Sequence, residues 1–153
     1  MAETMAVAKF LNELYVKKHN CAMDQMKMHK MMYLSQRESL MVSSSPLFND
    51  EFEAWKYGPV LVSVRNEYQT ENMFSKNYGL LKDDEKKLVE SVFDRYDKYG
   101  SWQLSTLSHA ELSWLQARRG LSDGEAGNRK MSLSAMKADA TRELLRRKGV
   151  VLA

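Results

Sequence analysis

The residues of this chain that could do chemistry are few, and most lack the partners that chemistry needs. Histidines stand at 19, 29 and 109, and Cys21 is the one thiol. None of the histidines belongs to an HExxH helix, and no Ser or Cys nucleophile is spaced with a base. His109-Ala110-Glu111 matches the first half of a zinc-deaminase pattern. Its second half needs two cysteines, so His109 reads as a structural or capping histidine. Asp50-Glu51-x-Glu53 offers oxygen ligands for a hard cation, but a strand there sends Glu51 and Glu53 to one side with no further carboxylate in reach. Acidic residues at a strand also guard its edge against pairing. Neither a phosphate-cradling glycine loop nor a dinucleotide fingerprint is present, and no cofactor or metal is expected.

Methionine is the unusual feature. Six of the eleven fall between Met23 and Met41, close to Cys21 and His29. A soft-metal site would use such thioethers. However, Met28, Met31 and Met32 share one helical face that the core already requires. Unbranched thioethers also fill irregular cores and adapt surfaces to unlike partners. Met23 and Met26, at the entrance of that helix, are the ones expected to be exposed and free to meet a partner.

The elements that position these residues are mostly helical. Val7, Phe10, Leu11, Leu14 and Tyr15 recur at helical spacing, with Thr4 as a candidate N-cap. A second helix starts at Asp24 and carries Met28, Met31, Met32, Ser35 and Leu40 inward, until Ser43-Ser44-Ser45-Pro46 stops it. From Phe52 to Tyr57 the pattern alternates, with Phe52, Ala54 and Lys56 on one face and Glu53, Trp55 and Tyr57 on the other. Gly58-Pro59 closes this strand, and Pro59 is placed at the first position of a third helix that turns Val60, Val64 and Tyr68 inward. Residues 71–81 read as a loop, with a second short strand near Met73-Phe74 to pair with the first.

Beyond it, Asp83 caps a helix bearing Leu88, Val89, Val92, Phe93 and Tyr96, ended by Gly100. Ser101 caps a short helix with Trp102, Leu104 and Leu107. Another carries Leu112, Trp114 and Leu115 and stops at Gly120. Leu121 to Lys130 is the most loop-like stretch. A last helix runs from Ser132 or Ser134 to Lys148, with Met136, Ala140, Leu144 and Leu145 inside. The predicted fold is mainly α, a single compact helical domain over residues 1–153 with six to seven helices and a small β-hairpin or β element near residues 50–75.

Composition agrees with that class. Hydrophobic residues are 44% and charged residues 28%, while glycine (7) and proline (2) are too scarce for an all-β fold. An uncharged stretch such as Ser39 to Asn49 is too short and polar to span a bilayer. A lone cysteine, and a start at Met1-Ala2-Glu3-Thr4 without a basic patch and apolar run, point to a cytoplasmic protein with no membrane contact. The net charge is +3, and residues 101–153 hold nine Lys/Arg against five Asp/Glu. Arg118-Arg119, Arg129-Lys130 and Arg146-Arg147-Lys148 could attract phosphate. With no aromatic platform interleaved, they read instead as a solvated face, and nucleic acid is not the favoured partner.

Two blocks carry a resemblance. Met28-His29-Lys30-Met31-Met32-Tyr33-Leu34-Ser35-Gln36 is followed by Pro46-Leu47-Phe48 and then by Phe52-Glu53-Ala54-Trp55-Lys56-Tyr57-Gly58-Pro59-Val60. With Val64, Tyr68, the Leu104–His109 stretch and Trp114, this order resembles the Panacea domain family of SocA-like antitoxins, which includes phage-associated GepA-like proteins. The likeness runs over nearly the whole chain and is most specific from Glu53 to Val60. The family's usual leucines in the second helix are methionines here. The resemblance implies a mainly helical domain with a small β element, no enzymatic activity, and an antitoxin role. Its partner would be a cognate toxin and, in SocA-like members, also a cytoplasmic AAA+ protease to which the toxin is presented.

On this reading the partner contacts Met23, Met26, Trp55, Lys56, Tyr57, Gly58, Pro59 and Val60. Aromatic anchors beside a cation are residue types that dominate interface energetics. The same Trp55 and Tyr57 could equally pack the strand onto the second helix. The alternatives are a small DNA-binding regulator using Arg118-Arg119 and the basic last helix, or a phage-encoded host-interaction protein.

Overall fold

The computed structural model describes residues 1–149. Among them lie seven α-helices and a three-stranded antiparallel sheet: α1 (Thr4–His19), α2 (Gln25–Ser43), β1 (Glu53–Trp55), β2 (Gly58–Val60), α3 (Val62–Glu67), α4 (Asp83–Tyr96), α5 (Ser101–His109), α6 (Leu112–Ala117), β3 (Arg129–Lys130) and α7 (Leu133–Arg147). The mainly helical class and the small β element match the reading of the sequence.

α2 is the axis of the molecule. Its N-cap is Asp24, whose side chain accepts from the Lys27 amide at 2.8 Å, and its C-terminus turns at Ser44 in the left-handed region. Met28, Met31, Met32, Ser35 and Leu40 are buried as their spacing requires. So are Lys27, His29, Lys30, Tyr33, Gln36, Arg37, Glu38 and Ser39, because α1, α4, α5, α7 and β2 all pack around this helix. Buried polar groups must find partners. Lys27 Nζ donates to the Asp97 carbonyl at 2.7 Å, and Gln36 bridges the Leu47 amide and the Phe48 carbonyl. The Tyr33 hydroxyl lies 2.7 Å from Glu111 Oε2 and 3.1 Å from Asp139 Oδ2. Arg37 donates to Glu111 and to the Tyr96 hydroxyl. Glu38 accepts a two-pronged bond from Arg147, both arms at 2.9 Å.

The sheet differs from the expectation in two ways. β1 pairs with the residues directly after it, Glu53 opposite Val60 and Trp55 opposite Gly58, with Lys56-Tyr57 as the turn. No strand forms at Met73-Phe74. Gly58, at φ +126°, lets the chain reverse within two residues, and so local a closure costs less chain entropy than reaching to residue 73. Pro59 therefore sits in β2, not at a helix start, and α3 begins at Val62. It is tolerated because the strand order β2-β1-β3 places β2 at an edge. The third strand, β3, comes from the stretch read as loop; it pairs Glu53 with Lys130, and the Met131 amide donates to the Phe52 carbonyl at 2.8 Å. Phe52 and Ala54 do face inward, with Glu53 and Trp55 on the half-buried side.

Several helix ends shift by one residue. Glu3, Lys82 and Gly100 occupy the N-caps expected at Thr4, Asp83 and Ser101. Gly100 thus opens α5 instead of ending α4. Ser132 does cap α7, accepting from Ala135. In α6 the inward residues are Ser113 and Trp114, while Leu112 and Leu115 face outward. Asp139 of α7 accepts from the Leu112 and Ser113 amides, which rotates the short helix to meet it. In α7 the buried set includes Asp139 and Glu143, and Leu144 and Leu145 are only half-buried.

Candidate functional site

The β1–β2 hairpin is fixed from within by three helices. Its Ala54 carbonyl accepts from Arg118 Nη1 at 3.1 Å, and the Trp55 carbonyl accepts from Trp114 Nε1 at 2.8 Å. At the turn itself the Tyr57 carbonyl accepts from Lys30 Nζ at 2.7 Å and Ser105 Oγ at 2.9 Å. Just after β2, the Leu61 amide donates to His29 Nδ1 at 3.2 Å. Burial, helped by the charges of Lys30 and Arg65, pushes His29 down to about 3, so it stays a neutral acceptor. Burial also lowers Lys30 to about 8, against the opposing pull of Asp24. His109 stacks on Trp114 with centroids 4.2 Å apart, a structural role consistent with the sequence reading, and burial lowers its pKa.

This scaffold decides where the eight expected contact residues go. Lys56 and Tyr57 project from the turn, Tyr57 at 51% exposure, with Lys56 Nζ 5.0 Å from the Tyr57 ring centroid. Gly58 and Pro59 are buried beneath them and Val60 is half-buried. A Cβ on Gly58 would lie 3.0 Å from Ser108 Oγ and 3.2 Å from Lys30 Nζ, so the close approach needs glycine. Trp55 is half-buried between the two readings offered for it: Arg65 covers its ring at 5.3 Å and its indole N–H donates to Glu53. Met26 is half-buried at the start of α2.

Met23 is a correction. It is 1% exposed and belongs to the core, because its amide donates to Asn12 Oδ1 and its carbonyl accepts from the Tyr68 hydroxyl at 2.6 Å. Those two bonds draw the residue in between α1 and α3.

One surface residue escaped the sequence reading. Trp102 is 67% exposed and meets Tyr57 edge-on, with centroids 5.9 Å apart and an interplanar angle of 88°. Its position carries the signal. Leu104, Ser105 and Ser108 form the buried stripe of α5, and Trp102 is out of phase with it.

Of the basic residues read as a solvated face, Arg119, Arg129, Lys130, Arg146 and Lys148 are exposed, while Arg118 and Arg147 are drawn inward. Arg118 is 6% exposed and holds the carbonyls of Ala54 and Glu125. Arg147 is committed to Glu38 and Glu143, and Arg146 binds Glu143 through two nitrogens at 2.7 Å. Burial alone would raise the Glu143 carboxyl, but Arg146, Arg37 and Arg147 hold it at about 2.

The acidic run is similarly engaged. Asp50 accepts from Ser63, Glu53 from Trp55, and Glu51 lies 3.9 Å from Lys130. Among the described residues no group of three or more His, Cys, Asp and Glu side chains could hold a metal ion, and no helix is long and apolar enough to cross a membrane.

No curated protein and no solved structure matches the chain. A family model does, that of the antitoxin SocA-like, Panacea domain, over residues 28–115. Those residues run from the first turn of α2 through the hairpin to α6, and include Lys30, Tyr57, Trp102, Ser105 and Trp114; α1, β3 and α7 lie outside. The protein is therefore a member of the SocA-like antitoxin, Panacea domain family.

Proposed function

We propose that the protein is an antitoxin that binds and neutralises a cognate protein toxin in the cytoplasm, by contact alone and without catalysis. The observation that supports this most is the Tyr57–Trp102 edge: Trp102 of α5 is left in solvent against Tyr57, which stands on a turn whose own carbonyl is held by Lys30 and Ser105. A rigid turn loses little entropy on binding, and exposed Tyr and Trp next to a lysine are strong anchors. The contact surface in this reading comprises Lys56, Tyr57 and Trp102, with Trp55, Val60 and Met26 at its margin and Gly58-Pro59 shaping it from below. A single domain spanning the chain carries this surface. Internal pairing of Arg118 and Arg147 takes two of the basic residues away from phosphate, which supports a protein partner over nucleic acid.

The test is co-expression with the product of the adjacent reading frame. That product should arrest growth when made alone, and the chain should relieve the arrest and co-purify with it. Tyr57→Ala and Trp102→Ala should each weaken the complex by roughly tenfold or more, as anchor residues do, while leaving the melting temperature unchanged. Unaltered binding by both folded variants would remove this surface from the reading. A harmless neighbouring product would remove the antitoxin reading itself.

A further inference from the structure

The opposite side of α5 borders a groove of about 690 Å³ between α4, α5 and α7. Trp102, Ser105 and His109 face the hairpin; Gln103, Leu104, Leu107 and Ala110 face this groove. Its walls are apolar, formed by Tyr99, Leu104 and Leu107, and its charged residues are Arg37, Arg142 and Arg146 against Glu111 and Glu143. The lining thus carries one positive charge more than it carries negative. Its size falls within the roughly 300–1,000 Å³ of small-ligand sites, and an apolar body with a few convergent polar groups is their usual chemistry.

A second observation concerns Arg37. It is 2% exposed, and its two terminal nitrogens are spoken for by Glu111 and the Tyr96 hydroxyl, but its Nε has no acceptor. One other buried side-chain atom among the described residues is in that position, Asp97 Oδ1, and it has Lys27 Nζ 3.2 Å away. Leaving an arginine N–H buried and unpaired costs its hydration with no return. The rim arginines also hold donors in reserve. Arg146 uses Nε and Nη2 on Glu143, which leaves Nη1, and Arg142 uses Nη2 on the Ala110 carbonyl, which leaves Nε and Nη1. The two stand one helical turn apart on α7 and share the groove.

We propose that this groove binds a small organic anion, a carboxylate or phosphate carried on a flat apolar body. The body lies against Tyr99, Leu104 and Leu107. The anion is met by Arg142 and Arg146, and Arg37, itself enclosed in the lining, adds its positive charge to the site. The site is independent of the Tyr57–Trp102 surface, so it stands whether or not that surface meets a toxin.

Arginine Nε–H groups give resolved nitrogen–proton resonances, so the full chain can be titrated with phenyl phosphate and with 4-phenylbutyrate while the Arg37 signal is followed. One of the two should shift it saturably. Arg146→Gln and Arg142→Gln should each weaken that binding by about tenfold, the worth of one charge-assisted hydrogen bond. Lys137→Gln, exposed elsewhere on α7, should leave it unchanged. Because Arg146 and Arg142 are substantially exposed, both variants should stay folded, and their backbone spectra check this. Three outcomes overturn the proposal: no saturable shift with either probe up to ~10 mM, equal affinity in both arginine variants, or an equal response to inorganic phosphate, which would mark an adventitious ion only.

Discussion

Lys30 sits 3% exposed with its ammonium against a carbonyl and no carboxylate beside it, and its substitution tests how the hairpin is held. Burial carries its pKa from 10.5 down to about 8, so the charged form is disfavoured in the folded protein. That difference corresponds to about 3 kcal/mol of cost for keeping the proton at neutral pH. The folded state binds fewer protons than the unfolded chain between about 8 and 10.5. The cost is therefore complete below about 8 and disappears as pH rises toward 10.5, so this group makes stability climb with pH.

Lys30→Met keeps the length of the side chain and removes the charge. The Tyr57 carbonyl retains Ser105 Oγ at 2.9 Å and is not orphaned. The variant loses one hydrogen bond worth about 1 kcal/mol. At pH 7 Lys30→Met should be as stable as the parent, or more stable by up to about 2 kcal/mol. This advantage should shrink as pH approaches 10. Urea unfolding of both proteins at several pH values reads the difference directly, and titration of other groups cancels in it. A variant less stable than the parent by more than about 2 kcal/mol at pH 7, or a difference flat with pH, would refute the reasoning. In that event the ammonium is a net stabiliser of the turn.

Other substitutions probe separate features. Gly58→Ala places a Cβ 3.0 Å from Ser108 Oγ at φ +126° and should cost roughly 1–3 kcal/mol in chemical denaturation. Tyr33→Phe strips the hydroxyl shared by the buried carboxylates Glu111 and Asp139 and should cost about 1–3 kcal/mol, with the far-ultraviolet spectrum unchanged. Asp97 is raised by burial, but bonds from Lys18, His19 and Lys27 prevail and set it at about 2, as the arginines do for Glu143. Both groups sit below their unfolded values, so their stabilisation is present above about pH 4.5 and drains as pH falls toward 2. Asp97→Asn with Glu143→Gln should lower stability at neutral pH and flatten that acid limb. An acid limb parallel to that of the parent would contradict this assignment.

The inner stripe of α2 could be read from the spacing of Met28, Met31, Met32 and Ser35, because a buried face needs apolar residues every three to four positions. The opposite face could not, since Lys27, Arg37 and Glu38 look like residues bound for water. Their burial depends on Asp97, Glu111 and Arg147, which are 70, 74 and 109 residues away along the chain. No local window contains such pairs. The end of the strand near Lys56-Tyr57 was legible because alternation and Gly58-Pro59 marked it. Its depth was not: whether Gly58 and Pro59 face water depends on Lys30 and Ser108 packing beneath. Met23 misled for the same reason, as its burial is set by Asn12 and Tyr68 and by nothing in its own neighbourhood. β3 is two residues long, too short for any periodicity, and exists because Phe52 offers a carbonyl to Met131.

The bond that Arg147 donates to Glu38 also bears on events during translation. Until α7 has left the ribosome, Glu38 of the central helix lacks its arginine counterpart, and the nascent polypeptide holds an ionised group it cannot yet bury. A chain cut short before α7 would leave Glu38 an unpaired charge in the middle of the molecule.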